Sequence, residues 1–140
     1  MDRFLGIDYG DRRVGVAVSD LLGFSAHGVG TIENKGMRSL LDELDKIIAE
    51  YRPSRIIVGM PLNMDGSKGF RAEATADFIN NLSERYSGEI ITWDERLTTV
   101  GASRFLNETN TRGKKRKGVI DTVSACLILD GYLSSLPKNS

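Results

Sequence analysis

The chain has 140 residues, of which 40% are hydrophobic and 27% are charged. This length is enough for one hydrophobic core but not for two, and the composition excludes a disordered chain. Lys and Arg number 19 and Asp and Glu number 19, so the net charge alone gives no argument for a polyanionic partner.

Three strands are predicted in the first part of the chain. Phe4–Asp8 and Val14–Ser19 are rich in apolar and β-branched residues, and the Gly and Asp of the turn between them predict a hairpin. A third strand is expected within Ser25–Glu33. The N-terminal apolar run is too short for a signal sequence or a membrane span, so we expect a cytoplasmic protein that does not contact membranes.

The middle of the chain alternates between helix and strand patterns. After Gly36, leucine and isoleucine recur at helical spacing until Pro53, which predicts a helix of about four turns. Arg55–Gly59 is an apolar strand of the kind that helices cover on both faces. A second helix is predicted from Phe70 to Tyr86, and a strand follows at Glu89–Trp93.

The last part of the chain predicts a short helix over 97–106, a polar and basic loop over 107–118, and an apolar helix over 119–133. Cys126 lies in this apolar helix and is expected to pack in the core; as the single cysteine it excludes an intrachain disulfide. The order of elements predicts an α/β layered sheet with helices on its faces. We expect one domain over residues 1–136 with a frayed tail at 137–140.

Acidic residues occupy the ends of several predicted elements. Asp8 ends the first strand, Asp94 and Glu95 follow the last strand, and Asp121 lies in the first turn of the last helix. If the first and last strands run side by side in the same direction, their carboxyl ends place these acids at one edge of the sheet, where open α/β sheets bind ligands. Each acid taken alone is more typical of a surface carboxylate, cap or turn former.

Close carboxylates repel one another, so such a cluster is stable only if cations neutralise it. Mg²⁺ or Mn²⁺ fits, because hard cations prefer oxygen ligands and the sequence has no His or Cys cluster that would favour zinc. Two ions could activate a water at a phosphodiester and stabilise the leaving oxygen.

Five sequence blocks, in this order, resemble the YqgF/RuvX family: Gly6–Gly10, Val14–Asp20, Val58–Asn63, Asp94–Thr99, and Val119–Asp121 followed by Ala125. The resemblance implies a ribonuclease H-like fold with a central mixed five-stranded sheet and helices on both faces, related to Holliday junction resolvases of the RuvC type. It implies a nuclease that trims the 5′ end of pre-16S ribosomal RNA, or alternatively a resolvase that acts on branched DNA. It also assigns catalysis and metal binding to Asp8, Glu95 and Asp121.

Other residues are candidates for supporting the site or binding the substrate. Strand geometry would point Asp94 away from Glu95, which favours a supporting role for Asp94. The candidates for substrate binding are Arg13, Asn63, Arg96 and the basic residues Arg112, Lys114, Lys115, Arg116 and Lys117. Arg13 and Arg96 could each contact a phosphate or brace a carboxylate, and Asn63 could equally belong to a rigid connecting loop. The basic run could equally be a solvated loop, but near the acids it favours phosphate binding.

Two further classes of function compete with the nuclease. A nucleic-acid-binding module without catalysis, acting in ribosome assembly or transcription, would need Lys114–Lys117 but not Asp8. A phosphotransfer enzyme is suggested by the resemblance of Asp8-Tyr9-Gly10 to a phosphate-binding block of the actin and sugar-kinase superfamily, but such enzymes use two domains and this chain is long enough for one. The sequence leaves open RNA or branched DNA, monomer or homodimer, and contact with ribosomal particles.

Overall fold

The computed structural model of the chain describes residues 3–63, 65–97 and 113–137, and over 113–120 it describes the backbone. The elements in these residues are β1 (Phe4–Asp8), β2 (Arg13–Ser19), β3 (Ala26–Glu33), α1 (Met37–Tyr51), β4 (Arg55–Met60), α2 (Phe70–Ser83), β5 (Glu89–Asp94), a 3-10 turn (Glu95–Leu97) and α3 (Gly113–Ser135). The strand predictions are confirmed to within one residue at each end. Among the described residues, no helix has the length and apolar character needed to cross a membrane.

The five strands form one mixed sheet in the order β3-β2-β1-β4-β5. The first three strands are an antiparallel meander, whereas β4 runs parallel to β1 and β5 runs parallel to β4. The mixed five-stranded sheet is therefore confirmed. The supposition that the first and last strands are neighbours is wrong, because β4 lies between them. Their carboxyl ends still share one edge of the sheet, since all three strands run in the same direction.

Side chains alternate between the two faces of the sheet, and each face has its own core. On one face, β1 and β4 bury Leu5, Ile7 and Val58 against Leu40 of α1 and Phe78 of α2. The opposite face packs against α3, through a cluster made of Phe4, Ala17, Ile57, Ala125, Ile128, Leu129 and Tyr132. Helices therefore cover both faces, as predicted, and each fully buried aliphatic side chain contributes about 1.5–3 kcal/mol to folding.

The ends of the first two helices have local causes. Arg52 adopts the left-handed conformation (φ 48°) after α1, and its N–H donates to the carbonyl of Ile48, so the helix ends before Pro53 as predicted. The second helix ends at Ser83, three residues before the predicted end at Tyr86. Tyr86 is buried for another reason: its hydroxyl donates to the carbonyl of Pro53 at 2.7 Å.

The last helix begins earlier than the sequence pattern predicts. Its first residue is Gly113, so the predicted loop over 107–118 is wrong from Gly113 onwards, and Asp121 lies two turns inside the helix rather than in its first turn. Lys and Arg are good helix formers, and here they outweigh the two glycines among them. The predicted helix over 97–106 lies outside the described residues beyond Leu97, as do Arg112 and the predicted tail at 138–140.

Glycines in the strands let α3 approach the sheet closely. A Cβ atom built on Gly6 would lie 2.8 Å from the Cβ of Leu129, and one built on Gly28 would lie 2.6 Å from the Cγ2 of Thr122. A Cβ on Gly15 would overlap the backbone carbonyl of Asp121. The missing side chains therefore set the distance between α3 and the strands, and so fix the height of Asp121 above the sheet.

Candidate active site

Asp8 and Glu95 are two buried carboxylates on the α3 side of the sheet, with exposed fractions of 3% and 5%. Asp8 is the last residue of β1. It lies on the same face of the strand as Gly6, which faces α3. Glu95 begins the 3-10 turn after β5, and a Cβ built on Gly59 would lie 3.0 Å from its Oε1. Ile7 of β1 is paired with Val58 of β4, so the next residues, Asp8 and Gly59, lie side by side. Neighbouring strands are about 4.8 Å apart. The two predicted acids are thus brought together across one glycine.

The turn around Glu95 is closed by its two neighbours in the sequence. The Asp94 carboxylate accepts the backbone N–H of Arg96 at 2.9 Å, and the Arg96 guanidinium donates through Nη2 at 2.7 Å and through Nε at 3.0 Å. These side-chain hydrogen bonds from Arg96 lower the pKa of Asp94, and Asp94 raises the pKa of Arg96. Alternation along β5 puts Asp94 on the face opposite Trp93, so Glu95 can turn toward α3 while Asp94 holds the turn from outside.

Arg96 also lies against the loop that follows β4. A Cβ built on Gly66 would be 3.4 Å from its Nη1, and the side chain of Asn63 donates to the hydroxyl of Ser67 at 3.0 Å within the same loop. The Asn63 backbone N–H also donates to the Ser67 carbonyl at 3.0 Å. Hydrogen bonds from Ser67 lower the pKa of Asp65. The loop is therefore internally bonded, and the two predicted substrate residues, Asn63 and Arg96, both help to shape it.

Asp121 is held on the other side of Asp8 by Arg13. The Nε of Arg13 lies 2.8 Å from the Oδ2 of Asp121, and the two side chains are 22% and 16% exposed. Arg13 shares its face of β2 with Gly15, which is paired with Asp8 and lies beneath Asp121. Arg13 therefore braces a carboxylate, which is one of the two roles that the sequence left open for it.

The three predicted acids are arranged around the end of β1 rather than as one cluster. Glu95 lies over Gly59 of β4 and the backbone of Asp121 lies over Gly15 of β2, with Asp8 on the strand between them. In the part of the chain that the structure describes, no group of three or more His, Cys, Asp or Glu side chains is close enough to hold a metal ion. Asp8 and Glu95 supply hard oxygen donors, at low exposure, of the kind that suits Mg²⁺ or Mn²⁺.

The basic segment Lys114–Lys117 lies in the first two turns of α3, on the same helix as Asp121. A rise of about 1.5 Å per residue places it roughly 6–10 Å from Asp121 along the helix axis. Positive charges near a helix N-terminus oppose the helix dipole, so they are unfavourable there unless an anion is also bound. The segment therefore lies close to Asp121 along the helix, and its role in phosphate binding stays a prediction.

Other residues near the candidate site and in the core have structural roles. Asp20 caps its own turn, because its carboxylate accepts the Phe24 N–H at 2.9 Å and the Ser25 hydroxyl at 3.0 Å. Tyr9 stacks on Phe78 with 4.6 Å between ring centroids, on the side of α1 and α2. Cys126 packs in the α3 core as predicted, and burial raises the pKa of its thiol.

Sequence reasoning missed the roles of Gly15 and Gly59. The signal was present, because a glycine inside a strand often marks a close approach by another part of the chain. Both glycines belong to the family-like blocks, yet a single sequence does not show which element approaches them.

The family match and the similar proteins all point to one family. The sequence profile of the RuvX family, described as Holliday junction resolvase, matches residues 2–135. A protein from Ruminiclostridium cellulolyticum, named "Putative pre-16S rRNA nuclease", is 48% identical over 138 residues, which are 98% of this chain and 97% of that protein. A protein of the same name from Halothermothrix orenii is 52% identical over 132 residues, covering 94% of each chain.

Solved structures with a similar fold share little sequence with this chain. RuvC from Thermus thermophilus, in complex with a Holliday junction substrate, aligns with a TM-score of 0.60 at 10% identity and covers 96% of both chains. The fowlpox virus resolvase in complex with Holliday junction DNA aligns with a TM-score of 0.55 at 13% identity, over 97% of this chain and 99% of that one. These likenesses confirm the predicted ribonuclease H-like fold.

Proposed function

This chain belongs to the RuvX family, and from that premise we propose that it is a divalent-metal-dependent nuclease that processes the 5′ end of pre-16S ribosomal RNA. Phosphodiester hydrolysis is the activity of the family. Relatives at 48% and 52% identity, matched over nearly their full length, carry the RNA substrate in their names, which supports RNA as the substrate here. Such an RNA is part of precursor ribosomal particles in the cytoplasm, where the protein would act.

The observation that carries the proposal is the burial of Asp8 and Glu95 side by side. Removing two carboxylates from water is costly unless cations and hydrogen-bond donors compensate for the lost solvation. Asp8 and Glu95 would hold Mg²⁺ or Mn²⁺, and Asp121 would join them as a third acid from the other side of Asp8. Bound metal supplies an activated water near neutral pH and stabilises the charge that develops on the leaving oxygen.

The chain's own residues hold the substrate and the acids. Lys114–Lys117, at the start of α3, bind backbone phosphates of the RNA and bring the scissile bond toward the end of β1. Asp94 and Arg96 keep Glu95 turned toward α3. The contacts to phosphates carry no base information, so the choice of cleavage position depends on RNA shape and not on base readout by this segment.

The test is cleavage of a 5′-extended 16S precursor RNA by purified protein with Mg²⁺ or Mn²⁺, comparing the wild type with Asp8→Asn. Asp77→Asn is the matched control, because Asp77 is an exposed acid on α2. We expect cleavage that requires metal, is lost in Asp8→Asn and is retained in Asp77→Asn. Cleavage by Asp8→Asn at the wild-type rate would refute the assignment, and RNA binding without any cleavage would favour a non-catalytic binding module.

A second candidate substrate is branched DNA, favoured by the family description as Holliday junction resolvase. The same carboxylates would serve, because the chemistry at the phosphodiester is identical. Symmetric cleavage of a four-way junction needs two active sites, so this function predicts a homodimer on the DNA. Parallel assays with a synthetic junction and the precursor RNA, together with the mass of the protein in solution by light scattering, separate the two candidates.

A further inference from the structure

Asp121, one acid of the proposed metal site, forms an ion pair with the guanidinium of Arg13. Its 2.8 Å contact joins Nε to Oδ2, and both side chains are largely shielded from water. A shielded ion pair is screened less than a surface pair, and breaking it leaves a charge without compensation. A metal ion that takes Asp121 as a ligand therefore competes with Arg13 for the negative charge of this carboxylate.

Arg13 lies at the carboxyl end of β1, beside the acids of the proposed metal site. Arg13 is the first residue of β2, two residues from Gly15 and on the same face, and Gly15 is paired with Asp8. Its side chain thus reaches Asp121 of α3 beside the carboxyl end of β1. A guanidinium has five N–H donors in a planar fork, which suits a phosphate as well as a carboxylate.

We propose that Arg13 is a positioning residue that exchanges Asp121 for a substrate phosphate when metal binds. Without metal, Arg13 neutralises Asp121 and holds the third acid back from Asp8 and Glu95. When Asp121 is drawn to a cation, Arg13 loses its partner and gains one from the RNA backbone. This inference rests on the proposed function and on the 2.8 Å contact between Arg13 Nε and Asp121 Oδ2 at the end of β1.

The exchange couples metal binding to RNA binding. Metal competes with Arg13 for Asp121 when RNA is absent, whereas RNA provides Arg13 with another partner and removes the competition. Each ligand then raises the affinity for the other by the same factor, since coupling between two binding equilibria is reciprocal. A residue that only braces α3 produces no such coupling.

The experiment measures Mn²⁺ affinity by calorimetry for the protein without RNA, in the wild type, Arg13→Met and the control Arg12→Met. Arg12 is the exposed neighbour, so its variant loses the same charge outside the site. We expect Arg13→Met to bind Mn²⁺ about fivefold or more tightly than the wild type, within the usual range of coupling between sites. The same variant is expected to bind precursor RNA more weakly and to lose the effect of RNA on Mn²⁺ affinity.

An unchanged or weaker Mn²⁺ affinity in folded Arg13→Met would overturn the exchange and leave Arg13 as a brace. If Arg13→Met does not fold, Arg13→Gln keeps a hydrogen bond to Asp121 without the charge and is held to the same expectation. Failure of the proposed function has a different result, because wild-type protein and Asp8→Asn would then bind Mn²⁺ equally or not at all. That result would also remove the basis for the exchange.

Discussion

Asp94 and Arg96 are joined across the residue between them, since the Asp94 carboxylate accepts both the backbone N–H of Arg96 at 2.9 Å and its guanidinium at 2.7 Å. The pair encloses Glu95, which is 5% exposed, although Asp94 and Arg96 themselves lie nearer the surface. The two sequence neighbours of Glu95 therefore hold the turn that sets the direction of its carboxylate.

The first prediction is that Asp94→Ala lowers cleavage with little loss of stability. An exposed ion pair contributes about 0–1 kcal/mol to folding, whereas a misplaced catalytic group can cost about a hundredfold in rate. We expect kcat to fall by about that factor, with KM for the RNA close to the wild-type value. Steady-state kinetics and thermal unfolding check this, and Asp94→Asn, which keeps an oxygen for the Arg96 N–H, should recover part of the rate. Equal kinetics for Asp94→Ala and the wild type would show that Glu95 needs no such support.

The second prediction concerns Gly59, over which the Glu95 carboxylate lies. A Cβ atom there would be 3.0 Å from Glu95 Oε1 and would overlap the side chain of Ile128, so Gly59→Ala must shift both. Gly88→Ala is the matched control, because its Cβ would overlap the buried side chain of Tyr86 at the end of β5 opposite Glu95. Both variants should lose about 1–3 kcal/mol of stability through overpacking. At a temperature where both variants are folded, only Gly59→Ala should have a lower cleavage rate per folded molecule. Denaturation gives the folded fraction, and an activity assay gives the rate.

The third prediction is that Lys114 and Lys115 contribute salt-dependent affinity for RNA. Neutralising two phosphate contacts to a single strand should reduce the slope of log affinity against log salt by about 1.4. Lys114→Gln combined with Lys115→Gln is compared with Lys35→Gln combined with Lys46→Gln. The Lys35 and Lys46 side chains are 73% and 74% exposed and lie outside α3. Filter binding over a range of salt concentrations gives both slopes. Equal slopes for the two double variants would contradict a role for the start of α3 in phosphate binding.

The fourth prediction concerns the acid side of the stability curve. Arg85 of the α2–β5 connection bonds Asp42 at 2.7 Å and Asp45 at 2.9 Å on α1, and the hydrogen bond from Arg85 lowers the pKa of Asp42 below its ordinary value of 3.8. A lowered folded-state pKa gives stability that is present above the ordinary value and is lost as pH falls through the folded-state value.

Arg85→Met should therefore be less stable than the wild type at pH 7, and this difference should shrink below pH 3.8. Denaturant unfolding of both proteins at several pH values measures it. Lys35→Met removes an exposed ion pair to Glu33, outside α1, and serves as the control. A difference that stays constant down to pH 3 would mean that Arg85 stabilises the fold through packing and not through charge.

Local sequence predicted the elements better than their arrangement. Alternating patterns and apolar runs were sufficient to predict β1, β4 and β5, because the side chains of a strand show which of its faces are buried. Strand order is different, since the position of β4 between β1 and β5 depends on crossovers through α1 and α2. Asp8 and Glu95 still lie at one edge of the sheet, because β1 and β5 run in the same direction.

The start of α3 shows a second limit of local patterns. The run Lys114–Lys117 has no apolar face and is flanked by glycines, which are features of a loop, yet Lys and Arg favour a helix once α3 is anchored by its apolar part. The partner of Asp121 was also hidden, because Arg13 is more than a hundred residues away in the sequence. The sequence offered two roles for Arg13, and only the packing of α3 on β2 selects the brace.

The order of the strands also has a consequence for how the chain becomes active as it folds. The β1–β2–β3 meander joins neighbouring segments and can form early, whereas β1–β4 and β4–β5 are parallel pairings that must close long loops first. We expect Asp8 to be placed with the early meander, Glu95 with β5 and Asp121 with the last helix. A chain interrupted during synthesis or folding therefore holds one acid without its partners, and hydrolytic activity should appear as the final event of folding.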